Sequence, residues 1–313
     1  MSKLDLLNKS GGKNPNALQV LQGYSLAAKI AHTERKIKEW YDHWNGKVYV
    51  SFSGGKDSMV LLHIVRSMYP EVPAVFVDTG LEFPEIREFV KTIENVTWLK
   101  PKMTFNKVIE NYGYPIISKK VAMGFSRVRN TRSPEVQIPL RLYGGINPST
   151  KRKQAATIAK KWHYLLNAPF KISDYCCEVM KKSPIKSYDR RTNRKPYIGT
   201  MAFESDIRRQ AYLKHGCNAF AATNPISTPL SIWLEKDVFD YLQKFKVPYS
   251  SIYDMGYDRT GCMFCAFGCH IEKESRFERM KETHPKQYEY CMSKLGMDEV
   301  LKWYLRKDEI RYP

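Results

Sequence analysis

The sequence predicts an α/β protein, a parallel sheet with helices on both faces, and three observations carry that expectation. Short apolar strands alternate with amphipathic helices between Lys47 and Asn111. A glycine loop, Ser53–Ser58, stands between the first strand and its helix. The 313 residues are 43% hydrophobic, enough to bury a sizeable core.

The elements follow in order. Residues 1–23 are expected to be a flexible segment, with a polar start that has no secretory h-region. A helical pattern runs from about Ser25 to Trp44. Lys47 to Phe52 alternates Val48, Val50 and Phe52 and reads as a strand. After the loop, Met59 to Met68 carries Val60, Leu61, Ile64 and Val65 on one helical face. Pro73 to Asp78 is the second strand, Glu85 to Ile93 a helix, Val96 to Leu99 the third strand and Phe105 to Asn111 the next helix. Residues 119–165 break this rhythm and read as a partly mobile basic insertion. Tyr197 to Thr200 is an expected strand, with helices at Asp206–Lys214 and Glu235–Phe245. A cysteine loop, Tyr257 to Cys269, leads to short closing helices. The expected domains are therefore 24–245, carrying the loop and the 119–165 insertion, and 246–313.

Ser53-Gly54-Gly55-Lys56-Asp57-Ser58 has the makings of a phosphate cradle. Glycines let backbone N–H groups turn toward an anion, and the following helix adds its positive end. Lys56 brings a full charge, and the Ser53 and Ser58 hydroxyls bring donors. The Walker A spacing is missing. In parallel sheets ligands sit at the carboxyl ends of strands, where both Ser53 and Asp78 fall.

These residues carry a family resemblance. Ser53–Ser58 matches the PP-loop of the adenine-nucleotide alpha hydrolase superfamily, and Val77-Asp78-Thr79-Gly80-Leu81-Glu82-Phe83-Pro84-Glu85 is similar to the corresponding segment of phosphoadenosine phosphosulfate (PAPS) reductases. The resemblance spans about residues 24–290, outside the basic insertion. It implies a Rossmann-like, HUP-type fold and a bound adenine nucleotide: ATP, or adenosine phosphosulfate (APS) or PAPS, with Mg2+ as a companion ion. Lys56 and Asp57 become candidate catalytic residues, and Asp78, Thr79, Gly80 and Glu82 candidate nucleotide contacts, Asp78 toward the ribose unless it is a solvated turn residue. Gly199, Arg208 and Arg209 stand where the family carries a glycine and an arginine-rich turn. Either arginine can grip a phosphate or sulfate, or serve only in a surface salt bridge.

Seven cysteines, an odd number, argue for ligation rather than a disulfide framework in a cytoplasmic chain. Cys176-Cys177 and Cys262-x-x-Cys265, with 84 residues between the pairs, supply four thiolates that can hold a cubane or zinc. The resemblance favours a [4Fe–4S] cluster, since the spacing and the Lys171–Pro184 stretch are close to those of cluster-bearing sulfonucleotide reductases. Lys181 and Arg259 are expected near it. Cys269 is a spare thiol, either a structural residue or a sulfur carrier, and Cys217 and Cys291 are expected in the core. One departure stands out. Thioredoxin-dependent members carry a nucleophilic cysteine in a Glu-Cys-Gly-x-His-like string, whereas Cys291 sits in Tyr-Glu-Tyr-Cys-Met-Ser-Lys.

The net charge is +19, and Lys119 to Lys195 alone holds 19 basic residues against four acidic ones. Such a field attracts polyanions. Arg127, Arg129, Arg132, Lys151, Arg152 and Lys153 are candidate DNA or RNA contacts, and Phe125, Tyr143, Trp162 and Tyr164 candidate stacking residues. No apolar run approaches the ~20 residues that span a bilayer, so no membrane partner is expected.

Three functions are consistent with these features. The first is ATP-dependent sulfur transfer to, or modification of, nucleic acid, with a separate sulfur donor. The second is sulfonucleotide reduction to sulfite, which the cysteine departure disfavours. The third is a non-catalytic, nucleotide- and cluster-dependent DNA-binding regulator with a ParB-like protein partner.

Overall fold

The computed structural model describes residues 15–154 and 157–305. The expectation for residues 1–14 lies outside the described residues, while Pro15–Gln22 is a helix. Eight strands occur among the described residues: β1 (Val48–Ser51), β2 (Ala74–Val77), β3 (Val96–Leu99), β4 (Ile116–Ile117), β5 (Lys195–Ile198), β6 (Asn218–Ala219), β7 (Ile226–Ser227) and β8 (Ala266–Phe267). The chain divides into two compact units, one of Met1–Asp78, Phe83–Leu99 and Ile185–Thr260, the other of Thr79–Glu82, Lys100–Pro184 and Gly261–Pro313.

The first unit holds a six-stranded sheet in the order β3-β2-β1-β5-β7-β6. All neighbours are parallel except β6 on β7. The register pairs Val50 with Tyr197, and the Tyr197 hydroxyl donates to the Ile37 carbonyl at 2.8 Å, which fixes the Leu26–His43 helix on that face. Tyr49 and Val75 point to the other face, where Tyr188 of the Ser183–Thr192 helix packs on them. Both faces are therefore covered, the condition under which short Val-rich strands are stable as a parallel sheet. Local chemistry sets several boundaries. Ser25 caps its helix by accepting from the Ala28 N–H, and Ser205 does the same for Asp206–His215 through the Arg208 N–H. Lys29, buried beneath the sheet helices, is neutralised by Asp237 at 2.5 Å.

The second unit carries a two-stranded parallel sheet, β4 with β8, joining Ile116 to Ala266 and Ile117 to Phe267. The expected irregular insertion is built differently. Lys119–Arg129 and Pro134–Tyr143 are helices, the first capped by Ser118 and the second opened by a proline in its first turn. After them Ile146 bridges Lys153, the Asn147 N–H donates to the Arg152 carbonyl at 2.9 Å, and the Asn147 side chain accepts from Ser149 and Thr150. Residues 146–153 are thus a closed turn that presents Lys151, Arg152 and Lys153 to solvent.

Candidate functional site

The glycine loop connects β1 to the Lys56–Met68 helix at the carboxyl end of the parallel strands. Gly54 has φ +73°, and a Cβ there would lie 2.7 Å from Ile86 Cγ2, so the sharp turn admits only glycine. Gly199, just past β5, backs the loop, since its Cβ would lie 3.0 Å from the Asp57 carbonyl oxygen. The two serine hydroxyls turn inward. Ser58 Oγ donates to the Gly55 carbonyl at 2.9 Å and lies 3.0 Å from Ser53 Oγ, which accepts the Gly55 N–H at 3.3 Å. They brace the loop instead of offering donors outward. The Gly55 N-cap makes no side-chain hydrogen bond to the helix, whose positive end lies at the loop.

Lys56 is only 4% exposed. Its ammonium donates to the Asp258 carbonyl at 2.7 Å, pairs with Glu235 at 3.2 Å and lies 5.1 and 5.3 Å from the rings of Tyr253 and Phe239. Its backbone N–H donates to the Tyr253 hydroxyl at 2.8 Å. Asp57 is the loop's open group, because its buried Oδ1 has no hydrogen-bond partner among the described residues. Burial pushes its carboxyl up to about 6, against the pull of Lys56 and with added repulsion from Glu204 and Glu235.

The remaining nucleotide candidates are engaged. Asp78, at the end of β2, accepts from the Arg87 guanidinium at 2.9 Å. Arg208 pairs with Glu204, and Arg209 lies 3.9 Å from Asp206. Arg259 also reaches Glu204, at 3.8 Å, within this first unit. Tyr253, Thr260 and Glu235 were not legible as site residues, because nothing local marks them and they reach the loop from nearly 200 residues away.

In the second unit, Glu82 accepts from the Thr79 N–H at 2.9 Å and the Thr79 hydroxyl at 2.8 Å, with Gly80 in the turn between them. Lys181 stands 3.8 Å from Glu82. The four paired cysteines are free thiols. Cys176 donates to Cys177 across 4.0 Å. That bond holds Cys176 protonated and favours the Cys177 thiolate, which Lys119 and Lys181 also support. Burial pushes Cys262 up to about 11 and also raises Cys265, and each thiol feels the charge of Cys177. Burial opposes the charge on Lys181, but Cys262 and Glu82 more than offset it and hold the ammonium above its ordinary range. The four thiols are soft donors of the type an iron–sulfur cluster takes, with the Lys181 ammonium beside Cys262. Among the described residues no three His, Cys, Asp or Glu side chains gather closely enough to hold a single metal ion. Cys269 is a half-buried thiol that desolvation pushes up to about 12, with Arg276 opposing the shift.

Arg127, Arg132, Lys151, Arg152 and Lys153 reach solvent, and Arg129 donates to the Phe170 carbonyl at 3.0 Å. Of the four aromatic candidates, Phe125 and Trp162 are buried and Tyr164 donates to the Tyr304 carbonyl, whereas Tyr143 is 78% exposed. No described helix is long and apolar enough to cross a membrane.

The family described as phosphoadenosine phosphosulfate reductase domain matches residues 47–122 and 136–267, about two thirds of the chain and including the loop and both cysteine pairs. Two uncharacterized proteins of Methanocaldococcus jannaschii are 26% and 25% identical over 88% and 95% of this chain. The chain spans 45% and 59% of their lengths, about half of these curated relatives. An adenosine 5'-phosphosulfate reductase of Bacillus cereus is 22% identical over 73% of this chain and 77% of its own. Among solved structures, the PAPS reductase of Candida auris in its phosphate complex aligns with TM-score 0.44 and 14% identity, covering 80% of this chain and 95% of that one. The FMN adenylyltransferase of Candida glabrata aligns with TM-score 0.44 and 12% identity, covering 82% and 71%.

Proposed function

The chain belongs to the phosphoadenosine phosphosulfate reductase domain family, and from that premise we propose that it is a PP-loop enzyme that activates nucleic acid with ATP for sulfur transfer. The observation that carries the nucleotide half is the loop itself, a helix end whose Gly55 N-cap makes no side-chain hydrogen bond and whose Lys56 is buried at the first turn. Phosphates of ATP take the helix N–H groups and the Lys56 ammonium. The unpaired Asp57 Oδ1 is the oxygen that would hold Mg2+ there. An oxygen of the nucleic acid attacks the α-phosphorus of ATP and releases pyrophosphate. Sulfide then attacks the activated carbon, forms the C–S bond and displaces AMP; were Cys269 to carry the sulfur as a persulfide, the same attack would leave a disulfide that an external thiol reductant cleaves.

Cys176, Cys177, Cys262 and Cys265 would hold a [4Fe–4S] cluster, which when bound supplies iron-held sulfide and redox chemistry. The nucleic-acid half rests on the charge between Lys119 and Lys195 and on its exposed presentation at Arg127, Arg132 and Lys151–Lys153. Sulfonucleotide reduction is the second reading, favoured by the likeness to the Bacillus cereus reductase.

Pyrophosphate release from ATP, measured with and without DNA or RNA, tests the first reading. Nucleic acid should stimulate it, and the stimulation should fall steeply with salt. Charge removal at Arg127, Arg129, Arg132, Lys151, Arg152 and Lys153 together should abolish the stimulation while ATP still binds. Thioredoxin-dependent sulfite release from APS or PAPS, with no response to nucleic acid, would put the second reading first.

A further inference from the structure

Tyr253 reaches the glycine loop from a distant stretch of the chain. Its hydroxyl takes the Lys56 N–H at 2.8 Å, the first donor of the helix, and lies 3.2 Å from Thr260 Oγ1. The two hydroxyls crowd the loop, since a Cβ on Gly55 would lie 2.8 Å from Thr260 Oγ1 and 3.1 Å from the Tyr253 oxygen. The Lys56 ammonium is occupied from the same segment by the Asp258 carbonyl. Two of the loop's main donors to a phosphate chain are therefore satisfied by residues 253–260.

The occupying groups are weak rivals for an anion. A phenol oxygen and a peptide carbonyl are neutral acceptors, whereas hydrogen bonds to charged oxygens are roughly twice as strong. The segment is held at two buried points with exposed residues between and after them. Ile252 and Tyr257 are buried, the latter against Phe83 with ring centroids 4.7 Å apart, while Asp254, Met255, Gly256, Asp258 and Arg259 are exposed. Gly256, with φ +82°, lies between the two anchors.

We propose that residues 253–260 form a strap that closes the phosphate seat in the free protein, and that a pyrophosphate-bearing ligand opens it by displacing the Tyr253 hydroxyl from the Lys56 N–H and the Asp258 carbonyl from the Lys56 ammonium. The proposal rests on the nucleotide reading of the loop. Closure lowers the apparent affinity by the fraction of molecules that stand open. Two linked phosphoryl groups can replace both contacts at once.

The test uses the full chain and inorganic pyrophosphate as the probe. Tyr253→Phe keeps the ring over Lys56 and removes only the hydroxyl. Loss of one competing hydrogen bond should tighten pyrophosphate binding about fivefold. In the wild type, pyrophosphate should speed tryptic cleavage after Arg259, read at that bond by mass spectrometry, and the variant should be cleaved quickly without it. Wild-type binding with unchanged or slower cleavage after Arg259, or weaker binding by the variant, overturns the strap and leaves the nucleotide reading intact. No pyrophosphate binding by either protein overturns both.

Discussion

Gly199 faces Asp57 across a gap that admits no side chain, since a Cβ on Gly199 would lie 3.0 Å from the Asp57 carbonyl and 3.1 Å from Ser58 Cα. The obstacles are backbone atoms at the start of a helix, which cannot swing aside. Gly199→Ala should therefore cost about 1–3 kcal/mol of stability, the usual range for overpacking. It should also weaken ATP binding more than that loss alone explains, because it pushes on the phosphate seat. Urea unfolding and calorimetric ATP titration on one preparation separate the two effects.

Lys56→Ala removes the only loop side chain with a positive charge. ATP affinity should fall at least tenfold. The fold should survive, because Glu235, the carboxylate left behind, is half-exposed and can be hydrated. Calorimetry with ATP, APS and PAPS reads the first effect and circular dichroism the second. Undiminished affinity for all three would remove the loop from the nucleotide site.

Protein purified without oxygen should be brown and carry about four irons per chain. Serine at Cys176, Cys177, Cys262 or Cys265 should each bleach it, whereas Cys269→Ser should leave the iron content unchanged. Iron analysis and visible absorption decide this, and stoichiometric zinc in place of iron would refute the assignment.

His32 lies buried beside Arg35, with Cys217 Sγ 3.8 Å from its Nε2. Burial, reinforced by Arg35 and Lys36, lowers its pKa from 6.5 to about 4. The native state thus favours the neutral ring. Its contribution to stability is fully present above pH 6.5 and is lost as pH falls toward 4, where the unfolded chain binds a proton the folded one resists. At about 1.4 kcal/mol per pKa unit the effect is about 3 kcal/mol. A non-titrating His32→Gln variant should show a flatter fall in stability between pH 6.5 and 4, measured by urea unfolding across that window. An identical slope in both proteins would assign the acid sensitivity elsewhere.

The sequence reading recovered what is locally encoded. The first three strands and the Glu235–Phe245 helix stand where their apolar periodicity put them. Residues 119–143 read as a break because prolines and clustered charge obscure a helical pattern. Pro134 sits in a first turn, where proline is tolerated, and Pro139 lies within the helix. The burial of Lys56 was equally hidden. A lysine beside two glycines at a strand end reads as exposed, and its partners Glu235, Tyr253 and Asp258 come from a distant stretch of chain. The inward turn of Ser53 and Ser58 is decided by the loop's own geometry, which composition does not carry. The second unit draws on 100–184 and 261–313 together, a division set by the pairing of β4 with β8 and invisible to any local pattern.

That pairing also sets a schedule. Ile116 and Ile117 find their partners about 150 residues further along the chain. At synthesis rates of about 5–20 residues per second the wait is roughly 8–30 s. Throughout it, two side chains that end almost fully buried have no sheet to join, and Cys176 and Cys177 have emerged without Cys262 and Cys265. Contacts between segments so far apart form slowly in any case. The nascent second unit is consequently exposed to aggregation and to stray thiol oxidation during that wait, and recombinant yield should rise in a reducing environment.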